Sequence, residues 1–226
     1  MTKFDPNPYA ATATEQPNAD LKSAFLSIWF RPRDTIRSIV AKDASKHVVL
    51  LGCLSGITGM LSEMESQNAG DSIPLIWILL IAGLAGPISG LVQIWLIAYL
   101  LELTGRGLNG KAERSHLRAA LAWSDMPQVA RLFVFWIPLL LAFGIAKFTT
   151  AGVAPVDPIH ASLHLALLGI RLILGIWRFV LTLKTVAEVQ GFRSSWTALW
   201  NMIRALLVLM VVVMPIAVIV VLVRYL

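Results

Sequence analysis

The hydrophobic positions of this chain fall into five long apolar runs separated by shorter polar segments. A helix of about 20 apolar residues, each rising 1.5 Å, is long enough to cross the hydrocarbon core of a bilayer. The predicted spans are residues 48–64, 73–103, 129–148, 162–191 and 205–223. The pattern therefore predicts an all-α protein, a polytopic membrane helix bundle of about five transmembrane helices with short amphipathic cytoplasmic helices.

The same pattern divides the chain into three regions. Residues 1–19 contain three prolines and little apolar periodicity, which predicts a disordered N-terminal tail. Residues 20–46 have apolar positions at helical spacing and basic residues around them, which predicts an amphipathic cytoplasmic segment that is broken at Pro32. This segment can lie on the membrane surface, cap the bundle, or do both. Residues 47–226 form the five-span domain.

A short amphipathic helix is predicted over residues 115–123, between the second and third spans. Ser124 or Asp125 is placed to cap the helix that follows, and Pro138 can bend that helix.

Composition agrees with a membrane protein and excludes several other classes. The 226 residues are 57% hydrophobic and only 14% charged, whereas soluble domains contain about 25% charged residues. The single cysteine, Cys53, excludes an intrachain disulfide. The net charge of +6 is explained better by loop charges on one side of a membrane than by nucleic-acid binding.

The distribution of Lys and Arg predicts the orientation. Most of the 19 basic residues lie in the N-terminal segment and in the segments after the second and fourth spans, while the opposite side has Lys147 and Arg224. Because cytoplasmic loops are enriched in Lys and Arg, the N-terminus is predicted to be cytoplasmic and the C-terminus exoplasmic.

The fourth predicted span carries two arginines within its apolar run, Arg171 and Arg178. A charge at mid-membrane costs about 3 kcal/mol on insertion scales, so each guanidinium needs a partner or water. We predict a candidate intramembrane polar site of Arg171, Arg178 and Glu102, in which Glu102 pairs with Arg178. The alternative is that the arginines line a polar cavity that holds an anion or a phosphate headgroup.

Two further features indicate contacts with lipid and with other helices. Candidate lipid-headgroup contacts are the arginines of the short amphipathic helices: Arg31, Arg33, Arg37, Arg114 and Arg118. Two small-residue pairs, Gly52/Gly56 and Gly86/Gly90, allow close helix packing within the bundle or a homo-oligomer.

No catalytic constellation or cofactor motif stands out in the sequence. His160 and His164 have a spacing that metal ligands use on a helix, but no third ligand accompanies them. We therefore predict no metal, no cofactor, no nucleic-acid partner and no enzymatic activity.

Three stretches together resemble the Yip (Ypt-interacting protein) membrane family, in its bacterial branch. They are residues 30–36 (FRPRDTI), residues 101–127 from LELTG through RAALAW to Pro127, and residues 176–192 from IW to VAEVQGF. Arg106 separates the two glycines of the family's turn. The Asp-Leu-Tyr-Gly-Pro motif of the eukaryotic members is absent, so their Rab-GTPase binding is not carried over.

This resemblance implies an integral protein of the bacterial inner (plasma) membrane. We expect a non-enzymatic scaffold or adaptor in membrane organisation or trafficking-like processes, with anionic membrane lipids and an unidentified protein as partners. The alternative is a transporter or lipid-moving protein that uses the Arg171/Arg178 face of the fourth span.

Overall fold

The computed structural model describes the backbone of residues 21–150 and 158–225, and the side chains of residues 24–150, 162 and 165–215. The predicted tail, residues 1–19, and the side chains of His160 and His164 lie outside these ranges. The described ranges form helices and no β-strand, which confirms the all-α prediction. The α-helices are α1 (Leu21–Phe30), α2 (Pro32–Asp43), α3 (Val48–Ser66), α4 (Leu75–Arg106), α5 (Arg114–Ser124), α6 (Met126–Arg131), α7 (Ile137–Phe143), α8 (Pro158–Gln190) and α9 (Ser195–Tyr225).

Five helical segments of the described chain are long and apolar enough to cross a membrane, as predicted. They are Val48–Ser66, Leu75–Arg106, Arg114–Phe148, Leu165–Gln190 and Ser195–Pro215. The third segment joins the predicted short helix to the predicted third span, because α5 leads through Asp125 directly into α6. We call the end of the bundle that carries α1, α2 and the turn after α4 the basic end.

The third segment changes its helical pitch before Pro138. Residues Leu132–Trp136 form a π-helix, and α7 begins at Ile137 with Pro138 in its first turn. A proline lacks the N–H that would bond four residues back, and a π turn is one way to accommodate that loss within a continuous helix. Just before Pro138, where a bend was predicted, the structure shows a local change from α-helix to π-helix.

Helices α3 and α4 pack backbone against backbone at three glycines. A Cβ placed on Gly90 would lie 2.8 Å from the Cα of Gly56, and a Cβ on Gly86 would lie 2.8 Å from the Cα of Ile57. Real Cβ atoms do not approach that closely, so the contact requires glycine on both helices. Both small-residue pairs thus serve packing within the chain. A homo-oligomer through them remains a prediction.

Helices α1 and α2 form a hairpin that caps the basic end. Pro32 occupies the first turn of α2, where a missing N–H costs nothing. Ile28, Ile36 and Val40 are buried against the bundle, and α2 packs on α5 and α8. The opposite face of α1 leaves Phe30 85% exposed. The segment therefore caps the bundle on one face and presents an apolar surface on the other.

Candidate functional site

An ion pair between Arg178 and Asp125 lies inside the bundle. The Nε atom of Arg178, on α8, is 2.6 Å from Oδ1 of Asp125, at the junction of α5 and α6. The Asp125 side chain is buried, whereas that of Arg178 is 38% exposed. Asp125 occupies the cap position of α6 but makes no capping hydrogen bond. Asp125, one of the two predicted cap residues, therefore lies at the cap position, but its carboxylate pairs with Arg178 instead of capping the helix.

Two cavities adjoin this ion pair. One, of about 340 Å³, lies toward α9 and is lined by Gln93, Thr182 and apolar side chains including Met202. The other, of about 430 Å³, lies toward α3 and is lined mainly by small and polar residues: Ser55, Gly56, Gly59, Met60, Glu63, Ser89, Gln93 and Gln128. Both include Asp125 and Arg178 in their walls. The pair thus separates two spaces within the transmembrane region.

A second charged cluster lies farther from the basic end. The Nη1 atom of Arg171 is 2.9 Å from Oε2 of Glu65, and Lys147 pairs with the other oxygen of the same carboxylate. The Arg171 guanidinium also lies 5.8 Å from the centre of the Phe135 ring. Arg171 is seven residues from Arg178, which is about 10 Å along α8.

Arg131 lies between these two ion pairs, near the start of the predicted third span (residues 129–148), and the sequence analysis did not single it out as a site residue. It is the last residue of α6 and lies within the third candidate span. Its Nη2 atom donates to Oγ of Ser62 on α3. The missed signal was the apolar run on both sides of Arg131. We call the set Asp125, Arg178, Arg131, Ser62, Arg171, Glu65 and Lys147 the polar column.

The structure corrects the predicted pairing of Glu102 with Arg178. Glu102 binds Arg106 at 2.6 Å, and also Arg114. The two residues lie at different levels along the bundle axis. Gln190 of α8 donates to the carbonyl of Leu101, next to Glu102. Arg178 lies twelve residues from Gln190, which is about 18 Å along α8. Arg171 and Arg178 share one column, and Glu102 belongs to the basic end.

The predicted lipid-headgroup arginines have three different surroundings. Arg37 pairs with Glu188 at 2.6 Å, and Arg33 donates to Ser195 at 3.3 Å, so both tie α2 to the bundle. Arg31 is exposed between α1 and α2. Arg114 and Arg118 stack on aromatic rings of α4.

The stacking arginines place positive charge beside exposed rings. The Arg118 guanidinium lies 5.2 Å from the centre of the Trp95 ring, and that of Arg114 lies 4.9 Å from the Tyr99 ring. Trp95 is 59% exposed and Tyr99 is 45% exposed. Tryptophan and tyrosine rings at a bundle surface are typical of the membrane–water interface.

A neutral network joins α4, α8 and α9 at the basic end. The Gln190 and Asn201 side-chain amides both donate to the carbonyl of Leu101, at 3.0 and 3.1 Å. The Thr104 hydroxyl donates to Oδ1 of Asn201 at 2.6 Å. We call this network, which sequence analysis missed, the amide knot.

Glycines of the turn after α4 make room for the amide knot. A side chain on Gly105 or Gly110 would overlap the amide group of Gln190. Gly191, with a φ angle of 72°, then ends α8, and the Phe192 N–H bonds the Ala187 carbonyl at 2.8 Å. This closure is a Schellman motif, and it confirms Gly191 as the predicted helix cap.

A metal-binding group of three or more His, Cys, Asp or Glu side chains is not found among the described residues. The chemistry that the polar column offers is the binding of an anion or an ion-paired headgroup by guanidinium groups.

Comparison with known proteins identifies one family. The family model described as the Yip1 domain matches residues 26–217, which is most of the chain. No curated protein and no solved structure shows a significant match.

Proposed function

Because the chain belongs to the Yip1 domain family, and because its basic end holds cations beside exposed rings, we propose that it is a non-enzymatic membrane scaffold or adaptor whose basic end binds anionic lipid. The single observation that carries this proposal is the stacking of Arg118 on Trp95. It sets a positive charge at the level where aromatic side chains meet lipid headgroups.

Arg118 is suited to lipid phosphate because no carboxylate competes for it among the described residues. Its Nε donates only to the carbonyl of Arg114, at 3.3 Å. Arg114, by contrast, is held by Glu102. A cation near an anionic membrane surface contributes about 1 kcal/mol to lipid binding, which is about fivefold in affinity.

The α1–α2 hairpin supports the same proposal. Leu26 and Phe30 lie one turn apart on the exposed face of α1, and Arg31 follows directly. An apolar helix face beside a basic residue is typical of segments that lie in the membrane interface. The hairpin would thus add a second membrane-surface contact to that of Arg118.

Quenching of Trp95 by brominated lipid tests the proposal. Quenching of tryptophan fluorescence is measured for the reconstituted protein in vesicles that contain brominated phosphatidylglycerol or brominated phosphatidylcholine. The Trp95 signal is the difference between this protein and a Trp95→Phe variant. We expect about fivefold preferential quenching by the anionic lipid and loss of that preference in Arg118→Gln. Arg193→Gln, which removes an exposed cation from the same end, serves as the matched control. Equal quenching by both lipids in the unchanged protein would contradict the proposal.

We also propose that this protein resides in a bacterial inner membrane with its basic end in the cytoplasm, which the bias of Lys and Arg supports. Fusion of alkaline phosphatase to the C-terminus tests the orientation, because that enzyme folds actively only outside the cytoplasm. An inactive C-terminal fusion, with an active one after Ser72, would contradict the C-terminal placement.

A second candidate function is the movement of a lipid or an anion. The observation that favours it is the pair of cavities on either side of Arg178 and Asp125. A polar space beside an intramembrane charge is the arrangement in which substrate pathways are found. Here the polar column would contact the headgroup or ion on its way across the bundle.

Flux in proteoliposomes tests the second candidate. Scrambling of labelled phospholipids and uptake of anions are measured for the unchanged protein and for folded Arg171→Gln and Arg178→Gln variants. Flux that depends on either arginine would support a pathway along α8. If no flux is seen with any lipid or anion, the second candidate is wrong and the scaffold proposal is unaffected.

A further inference from the structure

Arg131 is the exception among the cations of the polar column. The other three each form an ion pair with a carboxylate. Arg131 instead donates to the neutral hydroxyl of Ser62, and its Nε atom is buried with no hydrogen-bond partner among the described residues. The column thus contains one guanidinium that the described residues leave uncompensated.

Leaving this group without an anion is expensive. A guanidinium within the bilayer costs about 3 kcal/mol on insertion scales, and such residues almost always pair or line a functional site. A buried N–H without an acceptor costs about 1–3 kcal/mol more. An uncompensated Arg131 is therefore expected only where a bound group supplies the missing charge.

The surroundings of Arg131 favour an anion. The charges of Arg171 and Arg178 repel that of Arg131, whereas Glu65 attracts it. The polar column holds four cations, including Lys147, against the carboxylates of Glu65 and Asp125 and that of Glu63, which lines the adjoining cavity. An anion of single charge would reduce this imbalance.

The local structure orients Arg131 and places a cavity one helical turn away from it. Ser62 Oγ accepts from Arg131 and itself donates to the Thr58 carbonyl at 2.8 Å, which fixes the guanidinium on one side. Gln128, one turn earlier on α6, lines the cavity of about 430 Å³. The π-helix that begins at Leu132 is a feature that occurs frequently at functional sites.

We propose that Arg131, oriented by Ser62, binds a phosphate-class anion at the contact of α3 and α6. A guanidinium edge formed by the Nε–H and one Nη N–H matches two oxygens of a phosphate group, and the Nε–H of Arg131 has no acceptor among the described residues. The anion comes either from the phosphodiester of a lipid or from free phosphate. The site is independent of the lipid contact at Arg118, because it lies in the other half of the bundle.

Thermal unfolding of the purified protein, followed by tryptophan fluorescence, tests the site. The probes are inorganic phosphate and dihexanoyl phosphatidylglycerol; sodium chloride of equal ionic strength and dihexanoyl glycerol are the controls. A ligand that binds only the folded state stabilises it by RT ln(1 + L/Kd), where L is the free ligand concentration, so the unfolding midpoint rises with the logarithm of the ligand concentration above Kd. We expect such a rise with at least one probe, and an apparent affinity at least about tenfold weaker in Arg131→Gln. Arg193→Gln is the matched control and should respond like the unchanged protein.

The outcomes separate the two sources of the anion. A rise with phosphate alone assigns a free-anion site, and a rise with phosphatidylglycerol alone assigns a lipid headgroup site. No rise with either probe, or an equal rise in Arg131→Gln, overturns the proposal. If Arg131→Gln does not fold, Arg131→Lys and Ser62→Ala decide: weaker binding in at least one supports the site, and unchanged binding in both overturns it.

Discussion

The amide knot and the polar column are both polar networks within a largely apolar bundle, and they differ in charge and in burial. The knot is neutral, and the side chains of Gln190 and Asn201 are fully buried. Gly105 and Gly110 approach the Gln190 amide so closely that a side chain on either glycine would overlap it. The column is charged, and cavities adjoin the ion pair of Arg178 and Asp125.

This difference indicates different roles. Neutral amides that are fully hydrogen-bonded fix how helices meet, at a modest cost in desolvation. A buried ion pair contributes little net stability, because well-packed apolar residues often do as well. Charges retained beside a cavity are therefore better explained by binding, whereas the knot is explained by packing.

Removing the carboxylate of the Arg178 pair should have the largest effect. Asp125→Asn is expected to lower the free energy of unfolding by about 3 kcal/mol, because Arg178 loses the one carboxylate that pairs with it among the described residues. The double variant with Arg178→Gln should lose less than the sum of the singles, by at least about 1 kcal/mol. Reversible unfolding in mixed micelles of detergent and dodecyl sulfate measures both.

The matched control for this comparison of single and double variants combines Arg178→Gln with Glu102→Gln. Because Arg178 lies about 18 Å along α8 from Gln190, which contacts α4 beside Glu102, Glu102→Gln and Arg178→Gln should be additive within about 0.5 kcal/mol. Coupling of Arg178 to Glu102 instead of Asp125 would contradict the structure.

A smaller effect is expected at the far end of the polar column. Glu65→Gln should cost about 2 kcal/mol, because it leaves both Arg171 and Lys147 without a carboxylate. Arg171→Gln should cost about half as much, since Lys147 still pairs with Glu65. The same unfolding measurement compares the two variants. Equal losses of unfolding free energy would show that Lys147 does not share the Glu65 carboxylate with Arg171.

The smallest effect is expected in the amide knot. Gln190→Leu should cost about 1–2 kcal/mol, because Leu101 keeps Asn201 as a donor and only part of the network is lost. Phosphate binding and any flux should be unchanged, unlike in the column variants. Gln67→Leu, at an exposed glutamine, should stay within about 0.5 kcal/mol. A loss of phosphate binding in Gln190→Leu would remove the distinction between the two networks.

The spans could be predicted from the sequence because apolar length is a local property. The order of five spans, the break at Pro32 and the helix end at Gly191 all follow from residues near each other in the chain. The partner of Arg178 does not, since it depends on how far each helix is displaced along its axis. The prediction put Glu102 and Arg178 at one depth, and the contact of Gln190 with Leu101 shows a different register.

Local charge patterns also did not identify the partners of two arginines. Arg131 lies in the predicted third span, but its local sequence does not indicate that it contacts Ser62 of α3. Arg37 was predicted as a lipid-headgroup contact, and its pairing with Glu188, 151 residues away, could not be inferred from the amphipathic pattern. An amphipathic pattern shows that a helix has a polar face, but not whether that face meets lipid, water or another helix.

The glycine contact of α3 and α4 constrains how the cavities can change size. With backbones touching at Gly56, Gly86 and Gly90, neither helix can rotate or slide without separating from the other. The outer turns of α8 have few buried side chains. Widening of the space beside Arg178 is therefore expected from displacement of α8 or of α9, which lines one of the cavities, with α3 and α4 as the fixed wall.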